Sequence, residues 1–153
     1  MWGELHEEKS IVIKLEMEIS AGKANRLFKE LGATLHYDVY SFDIDEFEIW
    51  QSESLLNITL KNNGVEVDGQ ENFNEIIASY PFASRPSSDQ SKALDLVSKL
   101  TEVFEATAFY NCIQFSMEVV QSDWDNCNDF LLKEWGEEPG SESLRIMIEE
   151  NYA

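Results

Sequence analysis

The stretch Ile11-Val12-Ile13-Lys14-Leu15-Glu16-Met17-Glu18-Ile19 alternates without a break. Ile11, Ile13, Leu15, Met17 and Ile19 share one face, while Lys14, Glu16 and Glu18 take the other, which is the pattern of a half-buried β-strand. Directly after it the period changes. Ser20 suits a helix N-cap, Ala24, Leu27, Phe28 and Leu31 form an apolar stripe at helical spacing, and Gly32 stands where a C-terminal glycine belongs. A second strand is expected from about Thr34, with Leu35, Tyr37 and Val39 alternating against His36, Asp38 and Tyr40. Residues 10–42 thus read as a βαβ unit.

The same order recurs near the other end. Phe109, Ile113, Phe115, Met117 and Val119 alternate against Tyr110, Gln114, Ser116 and Glu118, predicting a strand over 109–119. Ser122 with Asp125 approximates a capping box for a helix carrying Trp124, Cys127, Leu131 and Trp135, closed by Gly136. Beyond Pro139-Gly140, Leu144, Ile146 and Ile148 alternate again, which favours a strand over the alternative of a C-terminal helix. Ile13, Leu15, Met17, Glu18 and Ile19 match Ile113, Phe115, Met117, Glu118 and Val119 in order and type. Leu27-Phe28-Lys29-Glu30-Leu31-Gly32 likewise matches Leu131-Leu132-Lys133-Glu134-Trp135-Gly136. Two such units are the halves of a ferredoxin-like split βαβ sandwich. The expected fold is therefore a single α+β domain over 1–153. Its halves lie at 10–42 and 108–150, and 43–106 is an insertion of a hairpin and helices.

Within that insertion, Phe42 and Ile44, then Phe47 and Ile49, alternate in opposite phase, so a turn or bulge is expected near Asp45-Glu46. Leu56, Ile58 and Leu60 mark a strand, and Asn62-Asn63-Gly64 signals a hairpin into Val65-Glu66-Val67. Phe73, Ile76, Ile77 and Tyr80 suit a short helix, and Ser84-Arg85-Pro86-Ser87-Ser88 reads as a loop. From about Asp89 to Ala106, Ala93, Val97, Leu100 and Phe104 mark an amphipathic helix.

With 153 residues, 43% of them hydrophobic, the chain can build one real core. No apolar run approaches membrane-spanning length, and the first residues, Met1-Trp2-Gly3-Glu4-Leu5-His6, show neither the basic flank nor the apolar stretch of a signal peptide. Two cysteines, Cys112 and Cys127, do not make a disulfide scaffold. A soluble, cytoplasmic protein is expected.

Charge dominates the composition. Thirty Asp and Glu against eleven Lys and Arg give a net charge of -19. Nucleic acids and anionic membranes repel such a surface, because binding them requires Lys and Arg to neutralise phosphates. A basic protein partner is attracted instead; solubility alone is the plainer reading. The acids fall in two blocks: residues 31–60 hold Asp38, Asp43, Asp45, Glu46, Glu48 and Glu53 with no Lys or Arg, and residues 121–153 hold nine acids against Lys133 and Arg145.

Catalytic signatures are missing where they would have to stand. Ser20-Ala21-Gly22-Lys23-Ala24 opens a helix after a strand, but Met17 and Ala24 occupy the positions where a phosphate loop needs glycine and Ser or Thr. Asp43 and Asp45, on alternate strand positions with Glu46 and Glu48 nearby, could share a divalent cation, as in a metal-dependent enzyme. No base accompanies them to hold a nucleotide's phosphates, and no metal site is assigned. His6 and His36, the only histidines, have no cysteine at zinc-ligand spacing, and no serine sits in a nucleophile elbow. The expectation is no enzyme and no cofactor. Trp50 and Trp124 lie among these acids and could anchor a partner, although Trp124 and Trp135 also fit the buried stripe of a helix. The candidate partner-binding residues are Asp43, Asp45, Glu46, Glu48, Trp50, Asp123, Trp124 and Asp125.

In size, acidity and lack of catalytic motifs, the chain resembles the immunity proteins of bacterial toxin–immunity pairs, including contact-dependent growth inhibition systems and nuclease bacteriocins. The resemblance implies a toxin inhibitor that binds a cognate basic toxin domain, often a nuclease, in the cytoplasm, with carboxylates standing in for nucleic-acid phosphates. The alternative is a ligand-sensing or regulatory α+β module, which would show a pocket rather than an exposed acidic surface.

Overall fold

The computed structural model describes residues 8–36, 39–42, 55–67 and 71–146. The alternating stretch forms β1 (Lys9–Ser20), and Ser20 caps α1 (Ala21–Glu30) by accepting a hydrogen bond from the Lys23 backbone N–H at 3.2 Å. The chain turns at Gly32, whose φ of 88° is the left-handed conformation glycine adopts at least cost. Then follow β2 (Ala33–His36), β3 (Val39–Phe42), β4 (Leu56–Asn62), β5 (Val65–Glu66) and β6 (Asn72–Tyr80). Two 3-10 turns, Phe82–Ser84 and Ser87–Asp89, lead into α2 (Gln90–Val103). The rest comprises β7 (Thr107–Tyr110), β8 (Ile113–Gln114), α3 (Met117–Trp135) and a short helix α4 over 142–146.

Among the described residues the strands make one antiparallel sheet of eight strands, ordered β2-β3-β4-β6-β1-β7-β8, with β5 paired to β4. Inside the sheet, β1 is held by β6 on one side and β7 on the other. Ile11, Ile13 and Leu15 of β1, Ile58 and Leu60 of β4, Ile76, Ala78 and Tyr80 of β6, and Ala108 and Tyr110 of β7 face one way. They join Ala24 and Phe28 of α1, Ala93, Leu94, Val97 and Leu100 of α2, and Val120, Trp124 and Leu131 of α3 in a single core. The fold is α+β.

Several elements differ from the sequence reading, each for a physical reason. Met17 was expected in the core but is 77% exposed. Pairing runs from Lys14 opposite Glu75 to Ile19 opposite Phe73, so β1 carries surplus residues in a bulge that turns Met17 outward. Ala33–His36 and Val39–Phe42 form two antiparallel strands, with Leu35 opposite Tyr40, rather than one. The stretch with Phe73, Ile76, Ile77 and Tyr80 is strand, not helix. It pairs on both edges, with β1 and β4, and the irregularity near Glu75 lets Phe73 and Ile76 face the same side at a spacing that imitates a helix.

The C-terminal third departs most. Residues 109–119 are not one strand: Asn111 and Cys112, with φ of 51° and 64°, turn the chain in a hairpin, and α3 already begins at Met117. Two successive left-handed residues are the requirement of the tight turns that match strand twist. The strand phase is inverted as a result, with Tyr110 buried and Ile113 66% exposed. Ser122 and Asp125 lie inside α3, whose cap is Ser116. Residues 142–146 are helical, and Leu144 is fully buried. Over the described residues, 108–146 therefore does not repeat the strand, helix, strand order expected of 10–42. The expected hairpin at Asn63-Gly64 and the helix from Asp89 are both present.

Candidate functional site

Trp124 organises the end of the core where β1, β7 and α3 meet. Its indole stacks on Tyr80 with ring centres 5.1 Å apart and meets Phe82 and Tyr110 edge-on at 5.9 and 6.5 Å. Such contacts contribute about 0.5–1.5 kcal/mol each beyond burial. Trp124 is completely buried, so it is a core residue and no exposed anchor for a partner.

Its polar edge nonetheless shapes a site. The Trp124 Nε1–H donates to the Tyr110 hydroxyl at 3.2 Å, and that hydroxyl donates to Asp123 Oδ2 at 2.6 Å. An indole N–H can only donate, so the phenol's oxygen accepts from it and its single proton is directed to the carboxylate. Burial, then the hydrogen bond to Asp123, pushes the Tyr110 hydroxyl well above the ordinary tyrosine range. Tyr110 is thus held protonated, as a fixed donor rather than a base. Asp123 is half-buried, and among the described residues its second oxygen, Oδ1, makes no hydrogen bond.

This dyad lies on the wall of a cleft of about 400 Å³, shared with Glu8, Lys9, Ser10, Asn111 and Cys127. The register that sets Val12 opposite Phe109 brings Ser10 level with Asn111. Ser10 Oγ lies 3.1 Å from Ser79 Oγ, and the Lys9 ammonium sits 5.4 Å from the centre of the Phe82 ring. Neither Cys112 nor Cys127 is in a disulfide.

A second feature runs along the outside of α3. Glu118, Asp125 and Asp129 are exposed and spaced by seven and four residues, which puts them in one stripe. Asp125 accepts from Gln121 Nε2 at 3.1 Å, and among the described residues no Lys or Arg pairs with these three. The exposed apolar residues of the helix are Leu132, beside the stripe at 54%, and Val119, around the helix from it at 57%.

Of the residues expected to bind a partner, Asp123 and Asp125 are therefore accessible and Trp124 is not. They do not form one patch: Asp123 opens on the cleft, while Asp125 joins the outer stripe. Asp43, Asp45, Glu46, Glu48 and Trp50 lie outside the described residues. Sequence reading missed Tyr110, placed on the wrong face by the overlooked hairpin, and Asp129, whose seven-and-four spacing with Glu118 and Asp125 was the available signal. Among the described residues no group of three His, Cys, Asp or Glu is arranged to hold a metal ion, and no helix is long and apolar enough to cross a membrane. No family model matches the chain, and no curated protein matches it in sequence.

Proposed function

We propose that this chain is an immunity-type inhibitor, a binding protein without catalytic activity that neutralises a cognate basic toxin domain in the cytoplasm. The observation that carries the reading is the stripe of Glu118, Asp125 and Asp129, exposed on a long helix that the core anchors through Val120, Trp124 and Leu131. Carboxylates that pair with no Lys or Arg among the described residues attract a basic surface and speed its encounter, and the one base near them on the helix is Lys133, four residues after Asp129. Leu132, three residues after Asp129 and 54% exposed, offers apolar contact beside them that excludes water. Glu134, Glu138 and Glu142 extend the same sign of charge toward the C-terminus.

The reading of a ferredoxin-like split βαβ core draws support from the strand order β7-β1-β6-β4, visited by the chain as β1, α1, β4, β6, α2, β7. In this arrangement β2 and β3 are edge additions after α1, and β8 with α3 is a C-terminal extension. The partition thus differs from the one expected from the apparent repeat. The alternative of a ligand-sensing module is favoured by one observation, the cleft beside Asp123.

Calorimetric titration with the product of the neighbouring reading frame, expected to be a basic domain, tests the proposal. A one-to-one complex is expected. The absence of any complex would overturn it.

A further inference from the structure

We infer that the cleft beside Tyr110 and Asp123 receives a guanidinium group, an arginine side chain of the basic partner. This rests on the proposed function and gives it a point of specificity beyond general charge attraction. At about 400 Å³ the cleft lies near the small end of ligand pockets, which span roughly 300–1,000 Å³, and it has room for one long side chain. Its wall carries two carboxylates, Glu8 and Asp123, against one ammonium. That ammonium, on Lys9, is already engaged with the Phe82 ring.

The carboxylate of Asp123 is pre-set. Tyr110 fixes Oδ2 with a 2.6 Å hydrogen bond and is itself fixed by Trp124, while Oδ1 makes no bond among the described residues. An acceptor held in this way loses little freedom when a ligand binds, which is the advantage of preorganisation. A guanidinium presents several coplanar N–H donors and needs several acceptors at once. Asp123 Oδ1, the Glu8 carboxylate and the Asn111 amide oxygen would supply them from α3's second turn, the residue before β1 and the β7–β8 turn, all on the cleft's lining. An ammonium, a compact point charge with three donors, uses this spread of acceptors less well.

The test uses the full chain and small probes. Nα-acetyl-arginine-N-methylamide is titrated while the tryptophan indole N–H signals are followed by 15N-resolved NMR; the corresponding lysine and citrulline compounds serve as comparators. Because Trp124 Nε1–H is bonded to the Tyr110 hydroxyl, its signal reports on the dyad directly. Saturable movement of that one indole signal is expected with the arginine probe, with at least tenfold weaker response to the neutral, near-isosteric citrulline probe. Asp123→Asn and, on the exposed rim, Glu8→Gln should each weaken binding several-fold, whereas Asp95→Asn on the exposed face of α2 should not. Should Asp123→Asn disturb folding, Glu8→Gln carries the test alone. Equal responses to arginine and citrulline, or unchanged binding in Glu8→Gln, would overturn the inference, and equal affinity for the lysine probe would overturn its guanidinium preference. Failure here with partner binding intact removes the cleft alone; probe binding without partner binding removes the inhibitor reading instead.

Discussion

A Cβ placed on Gly140 would stand 2.4 Å from the Pro86 nitrogen and 2.5 Å from the Arg85 carbonyl carbon, both backbone atoms with no flexible end to yield. The residue also has a φ of 79° and donates its N–H to the Ala83 carbonyl at 2.9 Å. Gly140→Ala is therefore expected to destabilise the fold by about 2–4 kcal/mol, the sum of a left-handed non-glycine residue and an overpacked contact. Gly136→Ala, where the φ is also positive but the space is open, should cost about 1 kcal/mol. Urea midpoints of the two variants check the difference. At Tyr110 the expectation concerns pH. Its hydroxyl has a folded pKa raised above the unfolded value of about 10, so its stabilising contribution is complete below pH 10 and declines as pH rises from there. Stability measured from pH 8 to 11 should fall with pH, and less steeply in Tyr110→Phe. An unchanged slope in that variant would mean the hydroxyl is not buried as described.

At the scale of elements, the two longest helices are joined by a reciprocal amide pair. Gln90 Nε2 donates to Asn128 Oδ1 at 2.8 Å, and Asn128 Nδ2 donates to Gln90 Oε1 at 3.0 Å. Gln90 is 1% exposed, so replacing Asn128 alone leaves a buried amide unsatisfied, at about 1–3 kcal/mol. A double-mutant cycle with Gln90→Ala and Asn128→Ala should give a coupling energy near 1 kcal/mol; additive losses would mean that the pair does not bind α2 to α3. Which elements could be read from sequence follows the same logic of local against tertiary cause. The bonds of β1, α1 and the Asn63-Gly64 turn are dictated locally, by alternation, by the Ser20 cap and by a residue pair that accepts positive φ. The hairpin at Asn111-Cys112 lacks a glycine, and Cys112 at φ 64° is an uncommon occupant that gives no warning. Missing that turn inverted the face of Tyr110 and hid the start of α3, and with them the cleft. The β6 stretch misled differently, since its bulge and its two-sided pairing are set by strands distant in sequence.

For the whole molecule, a net charge of -19 bears on association more than on architecture. Of the partner-binding acids expected from sequence, the structure describes Asp123 and Asp125 and separates their positions, one lining a cleft and one on an exposed stripe with Glu118 and Asp129. Exposed charges act through encounter and are screened within about 10 Å at 0.1 M salt. The decisive measurement is the rate of association with the proposed basic partner, sought in the neighbouring reading frame, at low and high salt. It compares the native chain with a triple variant, Glu118→Gln, Asp125→Asn and Asp129→Asn. The account predicts that salt slows association of the native chain by tenfold or more, and that the triple variant associates more slowly at low salt with a visibly weaker salt dependence. Association that is indifferent to salt, or identical in the two proteins, would contradict it.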